Sequence, residues 1–253
     1  MQVFPILPMS HSNIKLLEGA IFLSDAHYSF KHTALLDFLK ALRAQEIQTP
    51  QLILMGDVFD LLFGGISVTI ERSQEAIDLI NTLSDNIEIL YLEGNHDFNV
   101  TSIFPGVEVF TLQQQPLVAQ FKEQRVALAH GDFKGPALYR LYTALIRKSW
   151  VLKILNVVNT VGRGFIIKRL DSRLEHKKEC REIAGFEALT LERLTAEYLK
   201  DFDLFIEGHF HQDSSFKVGS CLYTNLPAFA CSPSYMRLTT TGLISETFVK
   251  AEV

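Results

Sequence analysis

Five short segments of this 253-residue chain carry residues suited to holding metal ions. They are Asp25-Ala26-His27, Gly56-Asp57, Gly94-Asn95-His96-Asp97, His130-Gly131-Asp132 and Gly208-His209-Phe210-His211. Five of the eight histidines fall in these clusters, a concentration that a random scatter would not produce. Imidazole and carboxylate together suit Mn, Fe, Co, Ni or Zn better than Mg or Ca. A carboxylate shared by two such cations, about 3.5–4 Å apart, suits phosphoryl chemistry. One cation offsets charge on the phosphoryl oxygens, and the pair lowers the pKa of a water between them. Asparagine adds a neutral carbonyl oxygen to such a set. His11, His32 and His176 stand outside the clusters and are read as structural. Asp60 and Asp132 each read either as a group orienting a ligand or as the cap of a following turn. Glu93 is read as structural.

Each cluster follows an apolar run that must position it. Ala20–Ser24, Leu52–Met55, Ile87–Leu92, Arg125–Ala129 and Leu204–Glu207 read as buried strands running into the five clusters. Leu35, Leu36, Leu39 and Leu42 are spaced for a helix over Thr33–Ala44, with Thr33 as its cap, and Ser67–Leu83 reads as a second helix. Strand–helix–strand–helix–strand predicts parallel βαβ units and an α/β fold. In such sheets ligands bind beyond the carboxyl ends of the strands, so five strands would deliver Asp, His and Asn to one edge. Leu117–Phe121 and Arg125–Ala129 are expected to flank a turn at Lys122–Gln124. Phe186–Leu199 reads as a helix, while Lys217–Asn225, Tyr235–Thr239 and Leu243–Val249 alternate like antiparallel strands.

Charge is distributed unevenly. Lys134 to Arg181 holds twelve basic residues against Asp171, Glu175 and Glu179, a net +9. The whole chain carries −5, so the remainder carries −14. Such a bias points to an anionic partner. The same stretch is helical and apolar in pattern, with Leu138, Tyr139, Leu141, Tyr142, Leu145, Ile146, Trp150, Val151, Ile154 and Leu155. A basic amphipathic helix with aromatics reads as an interfacial helix, the alternative being an ordinary packed helical pair. Tyr139, Arg140, Asn156, Lys168 and Arg173 are candidates for headgroup or phosphate contacts, or else part of a solvated face.

Charged residues at 21% and hydrophobic residues at 47% exclude a disordered chain. The length suits a single domain over 1–253 with an insertion. Cys180, Cys221 and Cys231 form no disulfide framework by count, and an odd number fits a reducing compartment. They read as small apolar residues. There is no run of about 18 apolar residues to span a bilayer. Met1 to Glu18 lacks a basic region followed by an apolar stretch, so a secretory leader is not expected.

The ordered set Asp-x-His, Gly-Asp, Gly-Asn-His-Asp, His-Gly and Gly-His-x-His, spread over residues 25–211, resembles the calcineurin-like metallophosphoesterase superfamily. The resemblance implies a four-layer α/β/β/α sandwich and two divalent cations, Mn²⁺ first and Fe, Zn or Co as alternatives. One cation would take Asp25, His27, Asp57 and His211. The other would take Asp57, Asn95, His130 and His209, with Asp57 bridging. His96 would approach the scissile phosphate or leaving oxygen, and Asp97 would orient it by a hydrogen bond.

Within the superfamily the chain is similar to the UDP-2,3-diacylglucosamine pyrophosphohydrolases of bacterial lipid A synthesis. Gly56-Asp57-Val58-Phe59-Asp60, Leu61-Leu62-Phe63-Gly64 and His130-Gly131-Asp132 carry that likeness, as does the basic helical stretch that follows. By that resemblance the insertion, at about 133–185, is a lid that holds acyl chains and docks on the membrane. One departure stands out: the family often has Arg where this chain has His96. The implied reaction is hydrolysis of a nucleotide-lipid pyrophosphate to UMP and 2,3-diacylglucosamine 1-phosphate. The implied location is cytoplasmic, peripheral on the anionic inner membrane, with no nucleic acid as partner. The rival readings are a metallophosphoesterase for a soluble phosphodiester or nucleotide, and a non-enzymatic metal-binding scaffold.

Overall fold

The computed structural model describes residues 14–174 and 180–250. His11, His176, Lys177 and Lys178 lie outside the described residues. In chain order the strands of the first half are β1 (Ile14–Lys15), β2 (Ile21–Leu23), β3 (Gln51–Leu54), β4 (Leu62–Phe63), β5 (Glu88–Leu92), β6 (Asp97–Phe98), β7 (Glu108–Phe110), β8 (Leu117–Phe121) and β9 (Gln124–Ala129). Those of the second half are β10 (Leu204–Glu207), β11 (Ser214–Val218), β12 (Cys221–Asn225), β13 (Ser234–Thr239) and β14 (Gly242–Thr247). The helices are α1 (Ala34–Arg43), α2 (Ser67–Glu71), α3 (Gln74–Leu83), α4 (Ala137–Ile146), α5 (Ser149–Val161), α6 (Phe165–Leu174), α7 (Phe186–Leu194) and α8 (Ala196–Leu199).

The described strands build two six-stranded sheets, β14-β13-β2-β3-β5-β7 and β1-β8-β9-β10-β12-β11, and a β4-β6 ribbon. Alternation along each strand explains the layers. Ile21, Leu23, Leu52 and Leu54 face α1 and α3. Phe22, Ile53 and Met55 face the other sheet, meeting Val126, Leu128, Leu204 and Ile206. Ala127 and Phe205 point away to α7 and α8, where Phe186, Leu194 and Leu199 cover them. The result is the expected four-layer α/β/β/α order. Because strands β2, β3 and β5 are buried on both faces, they read as continuous apolar runs rather than alternating ones.

The parallel β2–β3–β5 order confirms the βαβ reading. Three expected elements are broken in two. Ser67–Leu83 divides into α2 and α3 at Arg72–Ser73, where Ser73 takes φ −104° and ψ 3°, and the Thr69 hydroxyl, donating to the Ile66 carbonyl at 2.8 Å and accepting from Phe63 N, holds α2 to β4. Thr195, at φ 57°, separates α7 from α8. Gly219, at φ +62°, turns Lys217–Asn225 into the β11–β12 hairpin. The α5 and α6 axes meet at 98°. Helices α4–α6 occupy residues 137–174 and pack Leu152 and Ile167 onto Leu61, Phe63 and Phe98 of the ribbon region. Among the described residues no single helix is long and apolar enough to cross a membrane.

One expectation is corrected here. Cys180 and Cys231 form a disulfide although they lie 51 residues apart, because the chain path brings their Cα atoms to 5.6 Å. Cys221 keeps a free thiol, buried, with its pKa pushed up to about 11 by that burial.

Candidate metal centre

All five strand ends converge. After β2 the chain from Asp25 to Tyr28 runs beside Gly56–Val58, with Asp25 N donating to Gly56 O at 3.1 Å and His27 N to Asp57 O at 3.0 Å. These turns need unusual backbone: Asp25, His27, Asp57, His209 and His211 all take positive φ, between 45° and 67°. Non-glycine residues pay of order 1–3 kcal/mol each in that region, and they persist where the surroundings over-determine them, often at functional sites. Gly94 shows why glycine neighbours a ligand. A Cβ there would lie 2.2 Å from Asp57 Oδ1.

Asp25, His27 and His211 offer ligand atoms that all lie within 4.8 Å of one another. The same holds for Asp57, His130 and His209, and for His27, Asp57 and His96. Asp57 therefore sits between the two ends of the centre. His130 Nδ1 is 3.0 Å from the Met55 carbonyl, which fixes that nitrogen as the donor and turns Nε2 inward. From there Nε2 lies 3.3 Å from Asp57 Oδ2, 3.4 Å from Asn95 Oδ1 and 3.2 Å from His209 Nδ1. His211 Nε2 is 3.1 Å from Asp25 Oδ1, and His209 N donates to Asp25 Oδ2 at 2.9 Å. Asp60, left open between two readings, reaches His27 Nδ1 at 3.2 Å. It orients that imidazole.

Electrostatics reflect the crowding. Burial alone would raise the Asp25 carboxyl, but the hydrogen bond and charge of His211 hold it well below the carboxylate range. Burial would likewise raise Asp57, yet His130 and His96 hold it low. His130 is driven up by Asp57 against its own desolvation. A buried carboxylate–imidazole set of this kind fits divalent cations: hard oxygen and borderline nitrogen donors, in two groups sharing one carboxylate.

The role expected for Asp97 changes. His96 Nδ1 lies 2.8 Å from the Asp60 backbone oxygen, not against Asp97. The Asp97 carboxylate instead accepts from the backbone N–H of Asp57 at 3.1 Å, Val58 at 2.6 Å and Gly94 at 2.9 Å, and from Tyr91 Oη at 2.6 Å. It splints the Asp57 turn to the Gly94 turn. Burial and the Asp57 charge push its carboxyl up, to about 7, while those donors favour the anion. The sequence pattern placed Asp97 beside His96 in the chain, but the tight turn sends the two side chains in different directions.

An apolar cavity of about 460 Å³ opens on Asn95 and His96, walled by Leu61, Phe63 and Phe98 on one side and by Ile146, Leu152 and Ile167 on the other. Tyr139 and Arg173 also line it, and Tyr139 Oη donates to Asp132 Oδ2 at 3.1 Å. Three other expected contact residues lie elsewhere. Asn156 accepts from Ser67 N at 3.1 Å and so fastens α5 to α2, while Arg140 and Lys168 are exposed and do not line the cavity. Arg147, which the sequence reading passed over, is buried in the same wall. Its only sequence signal was a basic residue on the apolar side of a helix. A second, more polar cavity of about 340 Å³ lies beside Asp60, with Tyr28, His32, Arg72 and Asp171 in its wall.

Sandwich and centre together define a metal-dependent phosphoester hydrolase, and the chain belongs to the calcineurin-like phosphoesterase family, whose model it matches over residues 20–213. Among named proteins it is similar to UDP-2,3-diacylglucosamine hydrolase of Vibrio cholerae, with 22% identity over 76% of this chain and 81% of that one. The Coxiella burnetii protein of that name is 25% identical over 78% of this chain and 82% of its own. Among solved structures, the phosphoesterase Yfce of E. coli matches with a TM-score of 0.44 and 17% identity, over 87% of this chain and 88% of that one.

Proposed function

We propose that this protein hydrolyses the pyrophosphate of UDP-2,3-diacylglucosamine, giving UMP and 2,3-diacylglucosamine 1-phosphate. The observation that carries this reading is the apolar cavity opening directly on Asn95 and His96. A soluble diester needs no such room, whereas acyl chains gain about 0.8 kcal/mol per buried CH₂. The relatives named for this substrate support the choice.

Asp25, His27, Asp57 and His211 are assigned to one cation, and Asp57, Asn95, His130 and His209 to the other. When bound, such a pair offsets charge on the phosphoryl oxygens and makes a water more acidic; Mn²⁺ is our choice of metal. The protein's own groups do the rest. Asp60 and the Met55 carbonyl fix the ring orientations of His27 and His130. His96, tied through Nδ1 to the Asp60 carbonyl, presents Nε2 at the cavity mouth, 4.0 Å from Asp57 Oδ2. With Nδ1 committed as the donor to that carbonyl, Nε2 can donate to the phosphoryl or leaving oxygen as the bridging P–O bond breaks only when the ring is an imidazolium. Asp97 acts as a positioning residue through the Asp57 turn. The apolar walls exclude bulk water and strengthen these electrostatic contacts.

The helical insertion serves as a lid, and its outer face as a membrane contact. Leu138, Leu141, Leu145, Trp150, Ile154, Val157 and Phe165 are all exposed on it. Each nearby Lys or Arg adds about 1 kcal/mol at an anionic surface. We place the protein on the cytoplasmic face of the inner membrane.

The test is turnover of UDP-2,3-diacylglucosamine by Mn²⁺-loaded protein in detergent micelles, beside UDP-N-acetylglucosamine and bis(p-nitrophenyl) phosphate. UMP released from the lipid and not from UDP-N-acetylglucosamine, with slower hydrolysis of the simple diester and both activities lost in Asp57→Ala, is the expected result. Activity on the simple diester without the lipid would keep the metal chemistry and overturn the substrate. Metal uptake with no hydrolysis of any of the three would overturn the enzymatic reading.

A further inference from the structure

Arg147 caps the C-terminus of α4 and, at 8% exposed, is the one buried Lys or Arg among the described residues. Its Nη1 donates to Glu93 Oε2 at 2.9 Å and its Nη2 to the Gly94 carbonyl at 2.7 Å. The guanidinium lies 4.7 Å from the centre of the Phe98 ring. Its own carbonyl accepts from Asn99 Nδ2 at 2.6 Å. Glu93 and Gly94 precede Asn95 and His96, and Phe98 and Asn99 follow them. One side chain of the insertion thus grips the turn on both sides of two centre residues.

We infer that Arg147 is a positioning residue: it locks the insertion to the Glu93–Asn99 turn, so that insertion and turn hold Asn95 and His96 as one unit. The turn has little other freedom. Gly94 is already wedged against Asp57, and His96 N donates to Asp57 Oδ1 at 2.8 Å. A shift of the turn therefore reaches the carboxylate between the two ligand groups. Glu93 is 1% exposed and sends its other oxygen to Val100 N at 3.2 Å, so without Arg147 it becomes a buried charge with no cationic partner. The planar fork also makes lysine a poor substitute, because one ammonium replaces a two-pronged contact.

The inference rests on the metal-hydrolase reading but not on the lipid substrate, so its readouts avoid the lipid. They are Co²⁺ titration followed by visible absorption, turnover of bis(p-nitrophenyl) phosphate, and hydrogen exchange of the backbone amides between 93 and 100. In Arg147→Met, Co²⁺ affinity at one of two sites falls about 10–100-fold, as for other groups that orient ligands. The absorption band of that site changes, diester kcat drops by a similar factor with little change in KM, and the 93–100 amides exchange faster. Arg147→Lys falls between wild type and Met. Should the Met variant fail to melt cooperatively, Arg147→Lys and Glu93→Gln carry the same comparison. Folded variants with wild-type Co²⁺ affinity, band and amide protection would reduce Arg147 to a packing ion pair and overturn the inference. Wild-type protein that takes up no Co²⁺ would instead overturn the metal reading itself.

Discussion

Asp60 touches no expected cation position in its own right, yet it faces His27 Nδ1 at 3.2 Å and so leaves Nε2 to serve as a ligand. A group of that kind is worth about 10–100-fold in metal affinity. We expect Asp60→Asn to weaken one cation site by that factor in a calorimetric titration, with the fold intact. An unchanged titration would return Asp60 to a turn cap. Asp25 carries a pH dependence at the same scale. Its carboxyl is held below the ordinary value of 3.8, chiefly by His211 working against burial. A depressed folded-state pKa adds stability that is present above the unfolded value and is lost as pH falls toward the folded one. Cation-free protein is therefore expected to lose stability below pH 3.8, and Asp25→Asn to flatten that slope in acid denaturation followed by circular dichroism. Parallel curves for the two proteins would remove Asp25 as the cause.

At the scale of elements, the insertion and the β4–β6 ribbon form the two walls of the apolar cavity. Ile146 is half-buried in that wall, at the end of α4. A tryptophan there fills the room proposed for the acyl chains. Ile146→Trp should raise KM for the lipid substrate at least about 10-fold, since each lost CH₂ contact is worth about 0.8 kcal/mol. Turnover of bis(p-nitrophenyl) phosphate should stay at the wild-type level. Equal losses on both substrates would mean that the wall is not an acyl site. The disulfide belongs to this scale too: Cys231 sits on the loop whose Ala230 N donates to Asp25 O at 3.1 Å, so it ties the far end of the insertion segment to the backing of the centre.

At the scale of the whole molecule, the two sheets meet through one shared apolar layer, and each brings strand ends to the same edge. Phe22, 1% exposed, lies in that layer. Truncating such a ring costs about 3–5 kcal/mol, which in a chain of this size lowers Tm by roughly 10 °C. Phe22→Ala should show that drop while the folded fraction binds cations normally. A shift below about 2 °C in a thermal melt would deny the layer its role. The charge asymmetry is +9 within 134–181 against −14 elsewhere; on the proposed reading it would turn the insertion toward an anionic surface and the rest of the protein away from it.

The sequence alone located the candidate ligand clusters, because each directly follows an apolar strand run, and strand ends in an α/β sheet face one edge. It also determined the βαβ order, since strands buried on both faces leave unbroken apolar runs. What it did not determine depends on contacts between distant segments. The turn at Gly94 sends Asp97 to the Asp57 backbone and leaves His96 to the Asp60 carbonyl, although the two residues are neighbours in the chain. Arg147 looks in sequence like its basic neighbours, and only the docking of α4 on Glu93 and Gly94 buries it. Asn156 and Ser67 meet across 89 residues, and Cys180 and Cys231 across 51. Local spacing records which face a residue occupies within its own element. Which residue waits on the opposing face is decided by how the elements pack.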